Sequence, residues 1–552
     1  MPWTLHKAGS RLNINPEMDE HQICREIISL FFSRDDLDIS QARIEVCRKY
    51  KLGTVPKNSL LLSYALLEER EQLRLVLQVK PTRTLSGVAP VAVMTSPSPC
   101  PHGKCLPCPG GPDHPFKSPQ SYTGEEPAAI RGREHQYDPY QQVTARLSQF
   151  ETLGHHVGKA ELIVMGGTIT ARLAEYQEWF VIGCIKAMND YGTPQSTCAG
   201  TPSAREPIEQ QGAENRESVF LANENARVRC VAITFETRPD WCRKEHIESM
   251  IGLGVTKVEI GVQHVDDEIL AFNRRGCTVN DTAVANQLLR DAGLKVGFHI
   301  MPNLPGSTIG KDRELFRKLF DDPRFRPDFL KIYPTLVTPG SEIEALWKEG
   351  RYSPYSEEEL IDLIAYGKSL LPVYVRLQRI QRDIPAKLIV AGSKHSNFRQ
   401  LASDRLIANG GRCRCIRCRE IGRYPSGETP ELLTDTYECA GGTEHFISSV
   451  AGDSLVGFAR LRFPGTVSRE ELRESALLRE LHVYGSIVPI GHDPSAGEQQ
   501  HRSTGSSLLS TAEDIARGHG YRRISIMSGI GVRPYYRNHG YERAGPYMQK
   551  EL

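Results

Sequence analysis

Two triplets of closely spaced cysteines carry the most chemistry in this chain of 552 residues. The first lies in Cys100-Pro-His-Gly-Lys-Cys105-Leu-Pro-Cys108-Pro-Gly-Gly-Pro. Three thiolates on one loop can bind three irons of a four-iron cluster, leaving the fourth iron open to chelate a ligand. By spacing alone the same loop suits zinc with a remote fourth ligand equally well. The second triplet lies in Gly411-Arg-Cys413-Arg-Cys415-Ile-Arg-Cys418, and no glycine-rich ligand pocket follows it. It reads as a metal knot, with zinc first and redox chemistry as the alternative. Cys439, His395, a solvent molecule or nothing completes it. The other cysteines of the fourteen are scattered and read as small buried apolar residues. Without an apolar export segment after Met1, the triplets point to metal ligands in a reducing cytoplasm rather than to disulfides.

The surroundings separate the two readings of the first triplet. Downstream stand Met165-Gly166-Gly167-Thr168, Phe235-Glu236-Thr237-Arg238-Pro239, Gly261-Val262-Gln263 and Met301-Pro-Asn-Leu-Pro-Gly306. Each falls at or just after the end of a predicted strand. Glycines there let backbone approach a ligand, and Glu236 and Gln263 can hydrogen-bond a ribose or an amino group. In that order after three cysteines, they favour a cluster whose open iron binds S-adenosylmethionine for reductive cleavage.

These residues need a scaffold. Short β-prone runs at Val88–Met94, Leu162–Met165, Val228–Thr234, Lys257–Val262, Lys295–Ile300 and Phe329–Tyr333 alternate with helical stretches such as Ala283–Ala292. The alternation predicts α/β architecture over 81–390, with a parallel sheet curved into a full or partial barrel and its site at the C-terminal strand ends. Residues 1–80 read as helical, from Ile23–Phe32 and Leu60–Leu77, with Arg43, Arg48, Lys49, Lys51 and Lys57 as a solvated basic face that can add a phosphate contact. Tyr191 to about Asn225 reads as a polar surface loop. The chain carries a net charge of +1, so it is not uniformly basic. Between residues 372 and 423, however, twelve basic side chains face three acidic ones. That band is a candidate footprint for a polyanion, with Arg379, Arg382, Arg412, Arg414 and Arg417 as its candidate nucleic-acid residues, and 391–425 within it reads as a basic zinc-binding linker. No run is long and apolar enough for a membrane helix.

Residues 426–552 read as a separate α/β domain. Gln499-Gln500-His501-Arg502-Ser503-Thr504-Gly505-Ser506 precedes a predicted helix over Ser507–Gly518, and a small-residue loop entering a helix is an anion site. It resembles the GNAT acetyltransferase pattern Gln-x-x-Gly-x-Gly, with Ser503 in place of the first glycine. Gln500, Arg502, Ser503, Thr504, Gly505 and Ser506 are thereby candidates for the pyrophosphate of acetyl-CoA. Tyr535 and Tyr536 are candidates to orient its thioester or to protonate a leaving thiolate, although either tyrosine can equally belong to the core. Glu480 and His482 are further polar groups in the same region.

Taken together, the chain resembles the radical S-adenosylmethionine superfamily. More narrowly, it is similar to the family of the Elongator catalytic subunit. That resemblance rests on Cys-Pro-His-Gly-Lys-Cys, Cys-Pro-Gly-Gly-Pro-Asp at 108–113, Ser121-Tyr-Thr-Gly-Glu-Glu-Pro, Tyr137-Asp-Pro-Tyr140, Gly166-Gly-Thr, Glu236-Thr-Arg-Pro-Asp and Lys331-Ile-Tyr-Pro-Thr. It covers about residues 80–552; Pro107 stands where many superfamily members have an aromatic residue. It implies a radical-SAM barrel, a zinc site at the second triplet and a C-terminal GNAT domain. It also implies carboxymethylation of wobble uridine in tRNA at C5. A 5′-deoxyadenosyl radical would take hydrogen from the methyl group of acetyl-CoA, and that carbon would add to the base. On this reading Gly166, Gly167, Thr168, Glu236 and Gln263 hold S-adenosylmethionine, an electron donor serves the cluster, and Lys331 and Tyr333 face the anticodon loop, with Lys331 as a catalytic candidate. A homodimer and accessory Elongator-type subunits are left open. The rival readings are a protein lysine acetyltransferase with a structural iron–sulfur cluster and a nucleic-acid-binding scaffold with inactive modules. The basic connector counts against the first, and the intact cysteine triplet and Glu236 against the second.

Overall fold

Aliphatic residues at helical spacing build the first of two compact units, Met1–Thr84 with Ala145–Val157. The structure is a computed structural model that describes residues 19–34, 36–79, 84, 86–114, 117–193, 215–395, 397–484 and 499–552. In the first unit, helices Glu20–Ser33, Ile39–Lys49, Asn58–Tyr64 and Leu67–Leu77 close over Ile23, Ile27, Ile28, Val46, Leu61 and Leu73. Asp38 caps the second helix by accepting from the Ser40 and Gln41 N–H groups, and Gln41 reciprocates. The stretch expected as one helix over Leu60–Leu77 is two. Ala65 and Leu66 are extended, and the Glu69 carboxylate accepts the Leu66 N–H at 2.8 Å, restarting the helix. The same carboxylate takes Arg25 in a two-point ion pair at 2.5 and 2.9 Å.

The second unit, Leu85–Thr144 with Gly158–Leu552, contains two seven-stranded sheets. The first is entirely parallel: β1 (Ala89–Met94), β2 (Lys159–Met165), β3 (Arg229–Thr237), β4 (Lys257–Gln263), β5 (Lys295–Ile300), β6 (Phe329–Ile332) and β7 (Arg376–Ile380) lie side by side in chain order. Sequential right-handed crossovers put every connecting helix on one face, so the sheet curls about the other, and β1 and β7 do not meet. The expected barrel is thus a half-barrel. Helix Arg216–Asn223 stands inside the stretch read as a loop, of which residues 194–214 lie outside the described part.

Side-chain polarity alternates along these strands in an unusual sense. Val91, Val93, Leu162, Val164, Ile233, Phe235, Val258 and Ile260 pack outward under the helices and are buried. The concave face carries Glu161, Lys257, Glu259, His299 and Lys331. In a closed barrel this face would be filled with branched apolar side chains.

The second sheet runs β8 (Glu431–Cys439), β9 (Gly442–Ala451), β10 (Ser454–Phe463), β11 (Ser475–Val483), β12 (Arg523–Ile526), β13 (Glu542–Ala544) and β14 (Tyr547–Glu551), in spatial order 13-14-12-11-10-9-8. All pairs are antiparallel except β11 with β12, which are parallel and joined through helix Gln499–Gly518. That pairing joins all four residues of β12 to Ser475–Leu478, and β11 runs on past its end to Val483.

This sheet seats on the N-terminal ends of β3–β7. The joint is a buried lattice of charge. Arg479 donates to both Asp328 oxygens at 2.8 and 2.9 Å and to Glu444 at 2.8 Å. Arg290 reaches the same two carboxylates at 3.1 and 3.0 Å, and Arg462 joins Asp291 at 2.8 Å with Glu444 at 3.1 Å. None of these six side chains is more than 1 % exposed. Tyr374 and Tyr437 stack beside them at 3.9 Å. Burial alone would raise the Asp328 pKa, but Arg290, Arg479 and Arg460 hold it well below the ordinary carboxylate value.

Removing one member leaves a buried charge without its partner. Asp328→Ala is expected to cost about 3–5 kcal/mol, read as a lower denaturant midpoint of the second unit. Because Asp328 stays ionised in the folded chain, its contribution is present above about pH 4 and fades as pH falls and the unfolded chain takes up protons. Wild-type stability should therefore decline below that pH more steeply than that of Asp328→Ala.

Candidate active site and metal centres

The first cysteine triplet follows β1 at the C-terminal rim of the half-barrel. Each sulfur has a polar neighbour. Cys100 Sγ lies 3.4 Å from Thr168 Oγ1, Cys105 Sγ lies 3.0 Å from His102 Nε2 and 3.7 Å from Arg275 Nη1, and Cys108 Sγ accepts from Gln120 Nε2 at 3.0 Å. Arg238 donates to His102 at 3.0 Å. Burial, Arg238 and Arg275 push the His102 pKa down to about 3, so the ring is neutral. The loop fits an anionic cluster. Two guanidinium groups stand against it, and His102 Nδ1, Arg238 Nε and Arg275 Nε are buried with no hydrogen-bond partner among the described residues. The three sulfurs do not close into the tight group that one ion requires; thiolates on separate irons of a cube stand further apart.

Gly166 and Gly167, both at positive φ (130° and 99°), turn the chain at the end of β2. A Cβ on Gly166 would lie 2.1 Å from Thr95 Oγ1, so glycine is the side chain the turn admits. Gln263 also has positive φ, 68°, at the end of β4.

Below the sulfurs lies a ladder of alternating charge. Glu236 accepts from Tyr122 Oη at 2.5 Å on one oxygen and from Lys331 Nζ at 3.3 Å on the other. Lys331 also bonds Glu259, whose carboxylate takes His299 Nε2 at 3.0 Å. Lys257 lies 3.4 Å from Glu259 and 2.6 Å from Glu161. In the amide orientation that satisfies both its ends, Gln378 spans Glu259 and Lys257. Burial opposes charge on Lys331, but Glu259, with Tyr333 and Glu236, overcomes this and raises its pKa. Lys331 thus stays an ammonium and cannot take a proton. Its place as a catalytic candidate becomes that of a fixed cation holding two carboxylates. Glu236, Glu259 and His299 are close enough to share a metal ion, but the Lys331 ammonium already bonds both carboxylates.

Sequence reasoning reached Glu236 and Lys331 but missed Tyr122, Glu259, Lys257 and His299. The signal was the Lys-x-Glu-x-Gly-x-Gln alternation along β4, where polar groups repeat every second residue in an otherwise apolar parallel strand. Arg382 stands over the rings of Tyr122 and Tyr333, at 5.7 and 5.9 Å, and bonds the Ser121 carbonyl.

The second triplet does form a tight group: the Sγ atoms of Cys413, Cys415 and Cys418 lie within 4.8 Å of one another. Tetrahedral zinc needs about 3.8 Å between sulfurs for bonds of ~2.3 Å. Hydrogen bonds from Cys413 and Cys418 pull the Cys415 thiol well below its ordinary pKa. Cys439 is instead buried against the Phe325 and Arg326 carbonyls, and His395 pairs with Glu357 at 3.1 Å. Neither completes the group.

The connector's charge is not one open patch. Arg376 bonds Glu420 and Tyr484, Arg405 bonds Glu358 and Asp362, and Arg419 is buried against the Arg414 and Val373 carbonyls. Of the five candidate nucleic-acid residues, Arg379 pairs with Asp383 at 2.8 Å, Arg412 with Asp453 at 3.0 Å, and Arg417 donates to the Gln378 carbonyl at 3.3 Å. Arg379, Arg412 and Arg414 are exposed, whereas Arg382 and Arg417 are half-buried.

In the second sheet, the helix expected to begin at Ser507 is already helical at Gln499. Gln500, Arg502, Ser503, Thr504, Gly505 and Ser506 therefore form its first turns rather than a loop. Glutamine is a good helix former, and one glycine costs only about 1 kcal/mol. The side chains of Gln500, Arg502 and Ser503 lie outside the described part. Tyr535 sits against Gly505, where a Cβ would lie 2.9 Å from its hydroxyl. Tyr536 is buried in the core of this sheet with Tyr541 and Leu508. His482 stacks on Phe458, and burial lowers its pKa to about 4.

Residues 20–85 match the ELP3 N-terminal domain, 99–319 the radical SAM superfamily and 327–408 the radical SAM C-terminal domain. A tRNA uridine(34) acetyltransferase of Methanocaldococcus infernus is 46% identical over 94% of this chain and 96% of its own length. Elongator complex protein 3 of Homo sapiens is 38% identical over 96% of each. The chain belongs to the Elongator complex protein 3 family. A solved structure of Methanocaldococcus infernus Elp3 lacking residues 1–46 superposes with a TM-score of 0.71 at 42% identity, covering 85% of this chain and 100% of that one. A four-iron cluster and S-adenosylmethionine are the cofactors of the radical SAM superfamily to which 99–319 belong. Among the described residues no helix of this family member is long and apolar enough to cross a membrane.

Cys413, Cys415 and Cys418 can hold one metal ion, so Cys415→Ser should lower the non-iron metal content of purified protein, measured by mass spectrometry of the metal, while leaving iron bound after anaerobic reconstitution unchanged.

Proposed function

We propose that this protein modifies uridine 34 of tRNA at C5, building a carboxymethyl group from acetyl-CoA with a radical drawn from S-adenosylmethionine, in the cytoplasm. The observation that carries this reading is the linkage of three donor-flanked sulfurs to Glu236: Gln120 bonds Cys108, and Tyr122, two residues on, bonds Glu236, whose other oxygen takes Lys331. When bound, the cluster and S-adenosylmethionine supply a carbon radical able to take hydrogen from an unactivated methyl group.

The chain's own residues supply position. Cys100, Cys105 and Cys108 hold the cluster. The Gly166-Gly167-Thr168 turn and Gln263 offer backbone and amide groups to S-adenosylmethionine beside it. Glu236 cannot rotate, because each of its oxygens is engaged, so it presents a fixed acceptor to a ribose or amino group. Arg382, over Tyr122 and Tyr333, stands at the mouth where an unstacked base would enter, with Arg379, Arg412, Arg414 and Arg417 toward phosphates. Cys413, Cys415 and Cys418 hold zinc and stiffen the connector. Residues 81–390, 391–425 and 426–552 act as the radical SAM, linker and GNAT parts, after a helical extension over 1–80. In the GNAT part the N-terminal end of helix Gln499–Gly518 faces the pyrophosphate of acetyl-CoA, with Thr504, Gly505 and Ser506 in the following turn. Tyr535 stands by the thioester, and Tyr536 supports it from the core. A protein lysine acetyltransferase is disfavoured, because the end of β11 meets the N-terminal base of the half-barrel, where Tyr484 accepts from Arg376, and not open solvent.

The decisive experiment is anaerobic reconstitution with iron and sulfide, incubation with tRNA, acetyl-CoA, S-adenosylmethionine and a reductant, and mass spectrometry of the nucleosides. A carboxymethyl adduct on uridine is expected; acetylated protein with unmodified tRNA would overturn the reading. Cys105→Ala should abolish 5′-deoxyadenosine formation and leave tRNA affinity unchanged.

A further inference from the structure

The two tyrosines assigned to the acyl-thioester sit on a helix of five residues, Arg533–Arg537. So short a helix is not held by its own hydrogen bonds. What grips it therefore sets where Tyr535 points. Arg533 and Arg537, one at each end, are four positions apart and lie one above the other on one face. Tyr535, two residues in, is turned by about 200° to the opposite side.

One carboxylate grips that face at both ends. Glu224 takes Arg537 in a two-point pair at 2.5 and 3.2 Å, and Arg533 Nη1 lies 3.5 Å from the same carboxylate. Glu224 is 2 % exposed and Arg533 4 %. Glu224 precedes Arg533 by 309 positions and belongs to the stretch that matches the radical SAM superfamily. It stands at the end of helix Arg216–Asn223, which is itself pinned. The Asn223 side chain accepts the Cys230 N–H of β3 at 2.7 Å and donates to Asn189 at 2.7 Å. Glu217, in the first turn of that helix, accepts from Arg543 Nη2 at 2.9 Å. Gly529 and Gly531, just before the tyrosine helix, press on the base of β3. A Cβ on Gly529 would lie 2.0 Å from the Val231 carbonyl oxygen, and one on Gly531 2.5 Å from Arg229 Cβ.

On its other side the tyrosine helix meets helix Gln499–Gly518. Tyr535 lies against Gly505, and His539 ties the two elements together. His539 Nδ1 donates to the Tyr535 carbonyl at 2.9 Å, so in the neutral ring Nε2 accepts the Ser506 hydroxyl, 3.1 Å away. That tether is exposed; the buried, charged grip is the one on Glu224. Taking these charges out of water is costly, and apolar packing would join the two parts as well. A carboxylate shared by two guanidinium groups four residues apart does what apolar packing does not: it fixes the rotation of the helix about its own axis.

We propose that Glu224 is the positioning residue for Tyr535: by holding Arg533 and Arg537 it sets the direction of the phenol at the acyl-thioester. The inference rests on the acetyl-CoA reading above. In hydrolysis of the thioester a water oxygen bonds the acyl carbon and the C–S electron pair leaves on sulfur. Tyr535 gives sulfur its proton, and the proton lost by the water restores the phenol. Burial raises the Tyr535 pKa, which keeps that proton on the phenol until the thiolate forms. Glu224 touches no reacting atom and acts through the helix alone. The acyl site of the second sheet is thereby set by a residue of the half-barrel part.

The test is a double-mutant cycle in the full-length protein. Glu224→Gln keeps the size of the side chain and removes its charge. Its affinity for acetyl-CoA, measured by equilibrium dialysis, and its 5′-deoxyadenosine formation are expected to match wild type. Release of free thiol from acetyl-CoA in the presence of tRNA is expected to fall about a hundredfold, the order of loss when a reacting group is misplaced by about 1 Å. Tyr535→Phe should lose as much, and the double variant no more than Tyr535→Phe alone, because the two residues act as one unit. Losses that multiply in the double variant, or wild-type thiol release from Glu224→Gln, overturn the proposal. If Glu224→Gln does not fold, Arg537→Met removes the two-point pair and leaves Arg533 with Glu224; lower thiol release at unchanged acetyl-CoA affinity is expected, and wild-type release overturns the proposal. Absence of saturable acetyl-CoA binding by the wild-type protein overturns instead the reading on which it rests.

Discussion

Four buried arginines decide how this molecule is assembled. Arg290, Arg460, Arg462 and Arg479 meet Asp291, Asp328, Glu444 and Glu480 in the joint between the two sheets, where water scarcely reaches. Removing such charges from water is costly, and their mutual attraction offsets that cost only when the donors and acceptors are aligned. A shifted seating would strand several charges at once. The joint therefore tolerates one orientation, in which the end of β11 meets the base of the half-barrel through Tyr484 and Arg376. An apolar joint would bind as well but would distinguish registers less sharply.

The same logic runs through the half-barrel. A closed barrel fills its centre with branched aliphatics, whereas this sheet stays open, and its concave face is held by charge instead. Each group in the ladder from Glu161 to Tyr122 is fixed by the next, so Glu236 is pre-oriented by its hydrogen bonds. Lys331 illustrates the result. A lysine in a catalytic chamber invites assignment as a base, yet the carboxylates beside it keep it protonated, and its work is to hold geometry.

The two cysteine triplets differ for a related reason. Cys413, Cys415 and Cys418 close on one another, as a single tetrahedral ion demands. Cys100, Cys105 and Cys108 spread over a loop against Arg238 and Arg275, which favour a larger anionic guest. Spacing in the chain is compatible with either metal for the first triplet; the separation of its sulfurs and the cations facing them favour the cluster.

The chain alone determined what depends on local pattern. The parallel strands were legible because apolar runs such as Val-Gly-Phe-His-Ile in β5 alternate with helices, and the ligand-facing glycines because they sit where strands end. Both cysteine triplets were legible because metal ligands cluster in sequence. Tertiary structure decided whatever depends on residues far apart in the chain. Tyr122 meets Glu236 across 114 positions, and Arg290 meets Glu444 across 154. Which of the connector's arginines are consumed by internal partners, and which remain exposed, was hidden for the same reason. So was the placing of the second sheet at the far end of the strands: a charged side chain reads alike in sequence whether it faces water or a partner, and only the fold supplies the partner.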